Sequence, residues 1–176
     1  RTANETGSAF PANSILMTFD DAYVSFYSNV VPILELYDCP AMLAVCANWL
    51  DHEPPPDITA PLMSWEQVEE AAQHELVTVV SHSYDLHHAV QYNPQSNTAH
   101  AAVSRIYFPQ EQRYETREEY MVRLRADMAR SSGTMAEHAG RNPQILVWPY
   151  GQYNAFTVSA AKEAGYDMFF TLEDRL

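Results

Sequence analysis

The chain has 176 residues, 47% of them hydrophobic, and a net charge of −13 at neutral pH, a length that suits one domain burying roughly 70% of the surface its unfolded chain exposes. Lys and Arg number 10 against 23 Asp and Glu and form no basic cluster, which excludes the positive stripe that nucleic acid requires; acidity suits a neutral or cationic polymer such as an amino sugar, although it more often serves solubility. No stretch reaches the roughly 18 apolar residues of a membrane span, and Cys39 and Cys46, which fit neither a zinc pair nor a disulfide scaffold, read as buried inert thiols.

Arg1 to Ser14 is polar and lacks the charged-then-apolar plan of a signal peptide, so the chain is expected to be processed or cut from a longer one. The apolar run Ile15–Phe19 predicts a first strand, and it ends on two adjacent carboxylates, Asp20 and Asp21. A second strand is expected over Ala41–Ala47, followed by the stiff connector Pro54, Pro55, Pro56. Ser64 with Gln67 has capping-box spacing and opens a helix. Leu76–Ser81 predicts the third strand, and the polar residues past its end include His82 and His87.

From Ser83 to Glu115 there is no helical period, and the segment carries Pro94, Pro109, Tyr92, Tyr107 and Tyr114. A long loop is expected there, serving either a sugar-binding groove or solvent alone. Thr116 with Glu119 has the second capping-box spacing; the helix it opens carries Tyr120, Leu124, Met128 and Met135 and stops at Gly140. Ile145–Trp148 predicts a fourth strand running into the Pro149, Tyr150, Gly151 turn. A last helix, with Phe156, Val158 and Ala161, ends at Gly165, and Met168–Leu172 predicts the fifth strand.

Strands alternating with helices imply a parallel α/β sheet, in which residues just past the C-terminal strand ends converge in space. No Gly-rich loop follows the first strand, which disfavours a dinucleotide site. Five strands are too few for a closed eight-stranded barrel, so the expected fold is an incomplete (β/α) barrel in a single domain.

One carboxylate and two neutral imidazoles make a divalent metal site with open positions. His82 and His87 lie five apart rather than the three or four that share a helix face, so a loop must present them, and His88 rivals His87 as the second ligand. Adjacent aspartates diverge in direction, so one can coordinate while the other takes a proton from the attacking water. Singly, each of these residues reads as an ordinary surface histidine or helix cap; their joint position at strand ends favours metal-assisted hydrolysis. His52, His74, His100 and His138 read as surface residues.

Thr18-Phe19-Asp20-Asp21, the His82-Ser83-Tyr84-Asp85-Leu86-His87 segment and Trp148-Pro149-Tyr150-Gly151 resemble, in order and spacing, the first three motifs of the polysaccharide deacetylases, carbohydrate esterase family 4. Four residues between the histidines, with Asn93-Pro94, Arg113-Tyr114-Glu115-Thr116 and Phe170-Thr171-Leu172-Glu173-Asp174, resemble the PgaB/BpsB type that acts on poly-β-1,6-N-acetylglucosamine. The resemblance implies Asp20 as catalytic base; Asp21, His82 and His87 as ligands of zinc, nickel or cobalt; Tyr150 as a backbone oxyanion donor; and Trp148, Pro149 and Tyr150 as substrate contacts. It also implies an exopolysaccharide substrate, a periplasmic location and a C-terminal glycoside hydrolase-like domain outside this chain. Ala22 stands where most relatives carry Gly, which suits a backbone that avoids positive φ. Val147 replaces an Arg found in many relatives, Leu172 is followed by Glu173 and Asp174 rather than a catalytic His, and Arg1 to Ser14 holds no histidine to serve as acid. The rival readings are a non-catalytic polysaccharide-binding module and a deacetylase of chitin oligomers or peptidoglycan.

Overall fold

The computed structural model describes residues 14–140 and 143–173; the expectations placed on residues 1–13 and on Asp174 lie outside them. In chain order the elements are β1 (Met17–Phe19), a π-helical turn (Phe26–Val30) continuing as α1 (Val31–Tyr37), β2 (Ala41–Val45), α2 (Ala47–Asp51), α3 (Trp65–Gln73) and β3 (Val77–Ser81). There follow β4 (Ala89–Gln91), β5 (Thr98–His100), β6 (Tyr107–Phe108), β7 (Arg113–Tyr114), α4 (Arg117–Ala139), β8 (Ile145–Val147), a 3-10 turn (Pro149–Gly151), α5 (Ala155–Glu163) and β9 (Met168–Phe170).

The five expected strands form one parallel sheet in the order β1-β2-β3-β8-β9. Each strand joins beside its predecessor, so right-handed crossovers put every helical connection on one face. A doubly wound sheet would reverse its strand order at a switch point; this one does not, and it curls as a segment of a barrel. Alternation along β2 and β3 then divides the core. Leu43, Val45, Val77 and Val79 face Phe26, Leu34, Val68 and Met135 on the helix side, while Met42, Ala44, Val80 and Val147 cluster on the opposite, inner face. A second helix-side cluster joins Leu124, Met128, Leu146, Trp148, Ala160 and Tyr166 between α4, α5 and β8. A cavity of about 980 Å³ opens toward the N-terminal strand ends between Leu16, Met42, Thr78, Val80, Ile145 and Met168.

Both capping boxes form: the Ser64 hydroxyl accepts from the Gln67 N–H at 3.3 Å and the Thr116 hydroxyl from the Glu119 N–H at 3.1 Å. A third stands at Asn154, whose side-chain oxygen accepts from the N–H groups of Phe156 and Thr157. Gly140 ends α4 in the left-handed region at φ 70°. The π-helical turn ahead of α1 has a covalent cause, since Pro32 has no N–H to offer the preceding turn.

The segment from Ser83 to Glu115 is no plain loop. It folds as two antiparallel pairs, β4 with β5 and β6 with β7. The Asn93 side-chain oxygen Oδ1 accepts from the N–H groups of Gln95 and Asn97 and so builds the first turn. Arg123 of α4 anchors the segment, donating to the carbonyls of Ala101 (3.0 Å) and Ser104 (2.9 Å) and pairing with buried Glu115 at 2.8 Å. Of the two thiols only Cys46 is buried; Cys39 is half-exposed and donates to the Tyr37 carbonyl.

Candidate metal centre

Three strand ends supply the site. After β1 the backbone turns sharply, with Asp21 at φ 70° and Ala22 at φ 56°. The expectation for Ala22 is thereby corrected: it occupies the left-handed conformation that favours glycine. The turn is held there by neighbouring chain, since the Met63 N–H donates to the Ala22 carbonyl and the Val24 N–H to the Pro61 carbonyl, both at 2.8 Å, and the Ala22 methyl is fully buried. Strain of roughly 1–2 kcal/mol for such a residue is offset in part by that burial, worth about 0.8 kcal/mol per methyl-sized group.

The turn aims the two aspartates differently. Asp20 is exposed, whereas the Asp21 carboxylate reaches inward between two imidazoles, its Oδ1 lying 3.7 Å from His82 Nε2 and 3.5 Å from His87 Nε2. Ligand atoms bonded at about 2.0–2.1 Å in a tetrahedral arrangement stand about 3.3 Å apart, so this set closes on a metal with small movements. Two further observations fit a metal. Asp21 Oδ1 is buried with no hydrogen-bond partner among the described residues, a costly state for an acceptor that nothing occupies. His82, 2% exposed, has its Nδ1 2.8 Å from the Val147 carbonyl, so Nδ1 carries the proton and the Nε2 lone pair faces Asp21.

Electrostatics keep the imidazoles available. Burial pushes the pKa of His82 below its usual value against the pull of Asp20, and burial lowers that of His87 as well. Burial raises the Asp21 carboxyl, opposed by His82 and reinforced by the charge of Asp20. His88 stays outside the cluster, 3.8 Å from the Asp85 carboxylate, so among the described residues His87 and not His88 joins Asp21 and His82.

The third strand end is the Pro149–Gly151 turn. Tyr150 takes φ 56°, and Gly151 takes φ +65° where an added Cβ would stand 2.7 Å from the Leu172 nitrogen. The Tyr150 ring is 38% exposed, with His87 at 4.3 Å and His100 stacked on it at 4.0 Å. Trp148 is 1% exposed and stacks on Phe169, and Pro149 is buried too. Of the three expected substrate contacts only Tyr150 reaches solvent; Trp148 and Pro149 support it from within the core.

Two contributors went unread in the sequence. His100, expected at the surface, packs against Tyr150 through β5, and a polar strand inside an apparent loop carried no signal of that. Trp49 of α2 packs edge-on to His87 at 4.7 Å; aromatic spacing alone does not distinguish it from core.

A family model for polysaccharide deacetylase matches residues 7–169. Poly-beta-1,6-N-acetyl-D-glucosamine N-deacetylase of Escherichia coli K12 is 35% identical over 184 residues, covering 100% of this chain and 27% of the relative, so the chain spans about a quarter of that protein's length. A de-N-acetylase from Aggregatibacter actinomycetemcomitans superposes with a TM-score of 0.89 at 36% identity, over 98% of this chain and 69% of that one. The BpsB deacetylase domain from Bordetella bronchiseptica gives 0.89 at 39% identity, over 97% and 69%. With the motifs at the ends of a singly wound parallel sheet and the family model spanning most of its length, this chain belongs to the polysaccharide deacetylase family.

Proposed function

We propose that this chain is a metal-dependent N-deacetylase domain acting on poly-β-1,6-N-acetylglucosamine, hydrolysing each acetamide to an amine and acetate. The observation that carries the reading is the closure of Asp21, His82 and His87 into one ligand set with the second carboxylate, Asp20, left outside it. The polymer is that of the Escherichia coli relative. A periplasmic location is part of this proposal, as the resemblance to the PgaB/BpsB type implies.

In this reading Asp21, His82 and His87 hold zinc, nickel or cobalt, and the cation when bound supplies Lewis acidity and a lowered pKa for water. Asp20 takes a proton from the water that adds to the acetyl carbonyl carbon. The backbone N–H of Tyr150 donates to the oxygen on which negative charge develops. The C–N bond then breaks, the amine nitrogen gains a proton, and acetate leaves. The exposed Tyr150 ring offers an apolar face to the sugar.

Acetate release from a β-1,6-N-acetylglucosamine oligomer, measured with and without added divalent metal beside a chitin oligomer of equal length, tests this. Metal-dependent release from the β-1,6 oligomer is expected. Preference for the chitin oligomer would move the substrate. Stoichiometric metal with no release would favour a polysaccharide-binding module, the reading motivated by the missing family-type acid after Leu172.

A further inference from the structure

One buried side chain that holds the loop between the two imidazoles lies outside both of the motifs that carry them. We propose that Asp127, on the buried face of α4, is a positioning residue that sets the His82–His87 separation by clamping the backbone of the loop between them; the proposal rests on the reading of these histidines as metal ligands. Asp127 Oδ1 accepts from the Tyr84 N–H at 3.1 Å and Oδ2 from the Asp85 N–H at 2.7 Å. Both donors belong to the four residues that separate the ligands.

The loop is shaped to receive a carboxylate. Ser83 sits at φ 72°, and a left-handed residue followed by ordinary ones turns successive N–H groups to one side, forming a concave anion nest. The remaining donors are satisfied separately: His82 N–H by the Val45 carbonyl at 2.8 Å, Ser83 N–H by the Ser81 hydroxyl at 3.1 Å, and Leu86 N–H by the Ser83 hydroxyl at 3.1 Å. Five consecutive amides are therefore engaged, and the central two share one side chain. Only a carboxylate offers two acceptor oxygens at that span; an Asn offers one and turns an NH₂ group toward the other donor.

Helix stability does not require an acid there. Asp127 shares the buried stripe of Tyr120, Leu124, Met128, Ser131 and Met135, where a buried carboxylate is costly unless its hydrogen bonds compensate. Those bonds go to the metal loop. From the outer side the loop is gripped by α2, with Asn48 N–H donating to the Tyr84 carbonyl at 2.9 Å and the Asn48 amide to the Asp85 carboxylate at 2.8 Å. The loop is thus held between α2 and Asp127, and the i+5 histidine spacing is stretched over a fixed arch.

The test is a competition titration of the 176-residue chain with zinc and with cobalt, comparing wild type, Asp127→Asn and Met128→Ala, with the cobalt visible spectrum recorded for each. Asp127→Asn is expected to weaken metal binding about 10-fold or more, the usual range for an outer-shell partner, and to change the cobalt spectrum. Met128→Ala, which loosens the same helix without removing a hydrogen bond to the loop, is expected to lower Tm while keeping its metal affinity. Unchanged affinity in Asp127→Asn, or an equal loss in Met128→Ala, overturns the clamp. Should Asp127→Asn fail to fold, Asp127→Glu, which keeps both oxygens but displaces them by one methylene, carries the same test, and wild-type affinity in that variant overturns the proposal. A wild-type chain that binds neither metal overturns the metal-site reading and this inference with it, and its own titration distinguishes that case.

Discussion

Asp20 and Asp21 are adjacent in sequence and unequal in place, and the left-handed turn at Asp21 and Ala22 makes them so. Asp20→Asn should keep its metal and lose acetate release by roughly 10²–10⁴-fold, the usual worth of a general base; a variant turning over near the wild-type rate removes Asp20 from that role. His87→Ala should release metal, and His88→Ala should not, since only His87 stands beside Asp21. A metal count on the two purified variants decides it. At this scale the convergence of Asp21, His82 and His87 was legible, because carboxylates and imidazoles at strand ends have few other reasons to gather. The choice between His87 and His88 was not legible from residue type alone, since it depends on how an irregular loop is folded. The conformation of Ala22 was misread because contacts from residues 61–63 override its local preference. Asp127 and Ser131 did leave a trace: both fall on the apolar stripe of the following helix at helical spacing, and a polar pair on a buried face needs a partner.

Among the elements α4 does most to assemble the candidate site, touching the His82–His87 loop through Asp127 and the β4–β7 segment through Arg123. Arg123→Met would leave Glu115, 3% exposed, without its ion pair and should cost about 3–5 kcal/mol, read as a lowered urea midpoint. Asp127 on the same helix brings a pH dependence. Burial raises its pKa from 3.8 to about 7, with the N–H bonds from Asp85 and Tyr84 and the Arg123 charge opposing and the Asp85 charge adding. Between these values the folded chain holds a proton that the unfolded chain has lost, so this group's contribution to stability falls as pH rises through the window and levels off above it. The difference in Tm between Asp127→Asn and wild type should therefore change across pH 4–7 in favour of the variant, and a flat difference would mean that Asp127 does not titrate there. Strands and helix caps were legible because period and capping chemistry are local. The two β pairs inside residues 83–115 were not, because strands of two and three residues have no period to read, and Asn93 looked like loop polarity when it was building a turn.

For the whole molecule the dominant quantity is charge. At −13 the chain attracts the cationic amines its proposed reaction creates, and that attraction is screened over about 10 Å at 0.1 M salt. Raising ionic strength should therefore raise KM for a partly deacetylated polymer and leave KM for the fully acetylated one nearly unchanged; equal responses would show that surface charge plays no part in binding. The parallel sheet was legible from the alternation of strands and helices, and an incomplete barrel was expected from having too few strands to close; the strand order itself had no signal in the sequence, since pairing is set by contacts between distant residues. The sheet's borders are its thin parts: β1 and β9 have three residues each and, among the described residues, a neighbour on one side only. The arch from His82 to Leu86 is different, with every amide engaged although it lies outside regular secondary structure. In deuterated buffer the usual ranking should therefore invert, with these loop amides keeping their protons longer than those of the border strands and the candidate active centre among the last parts of the chain to open.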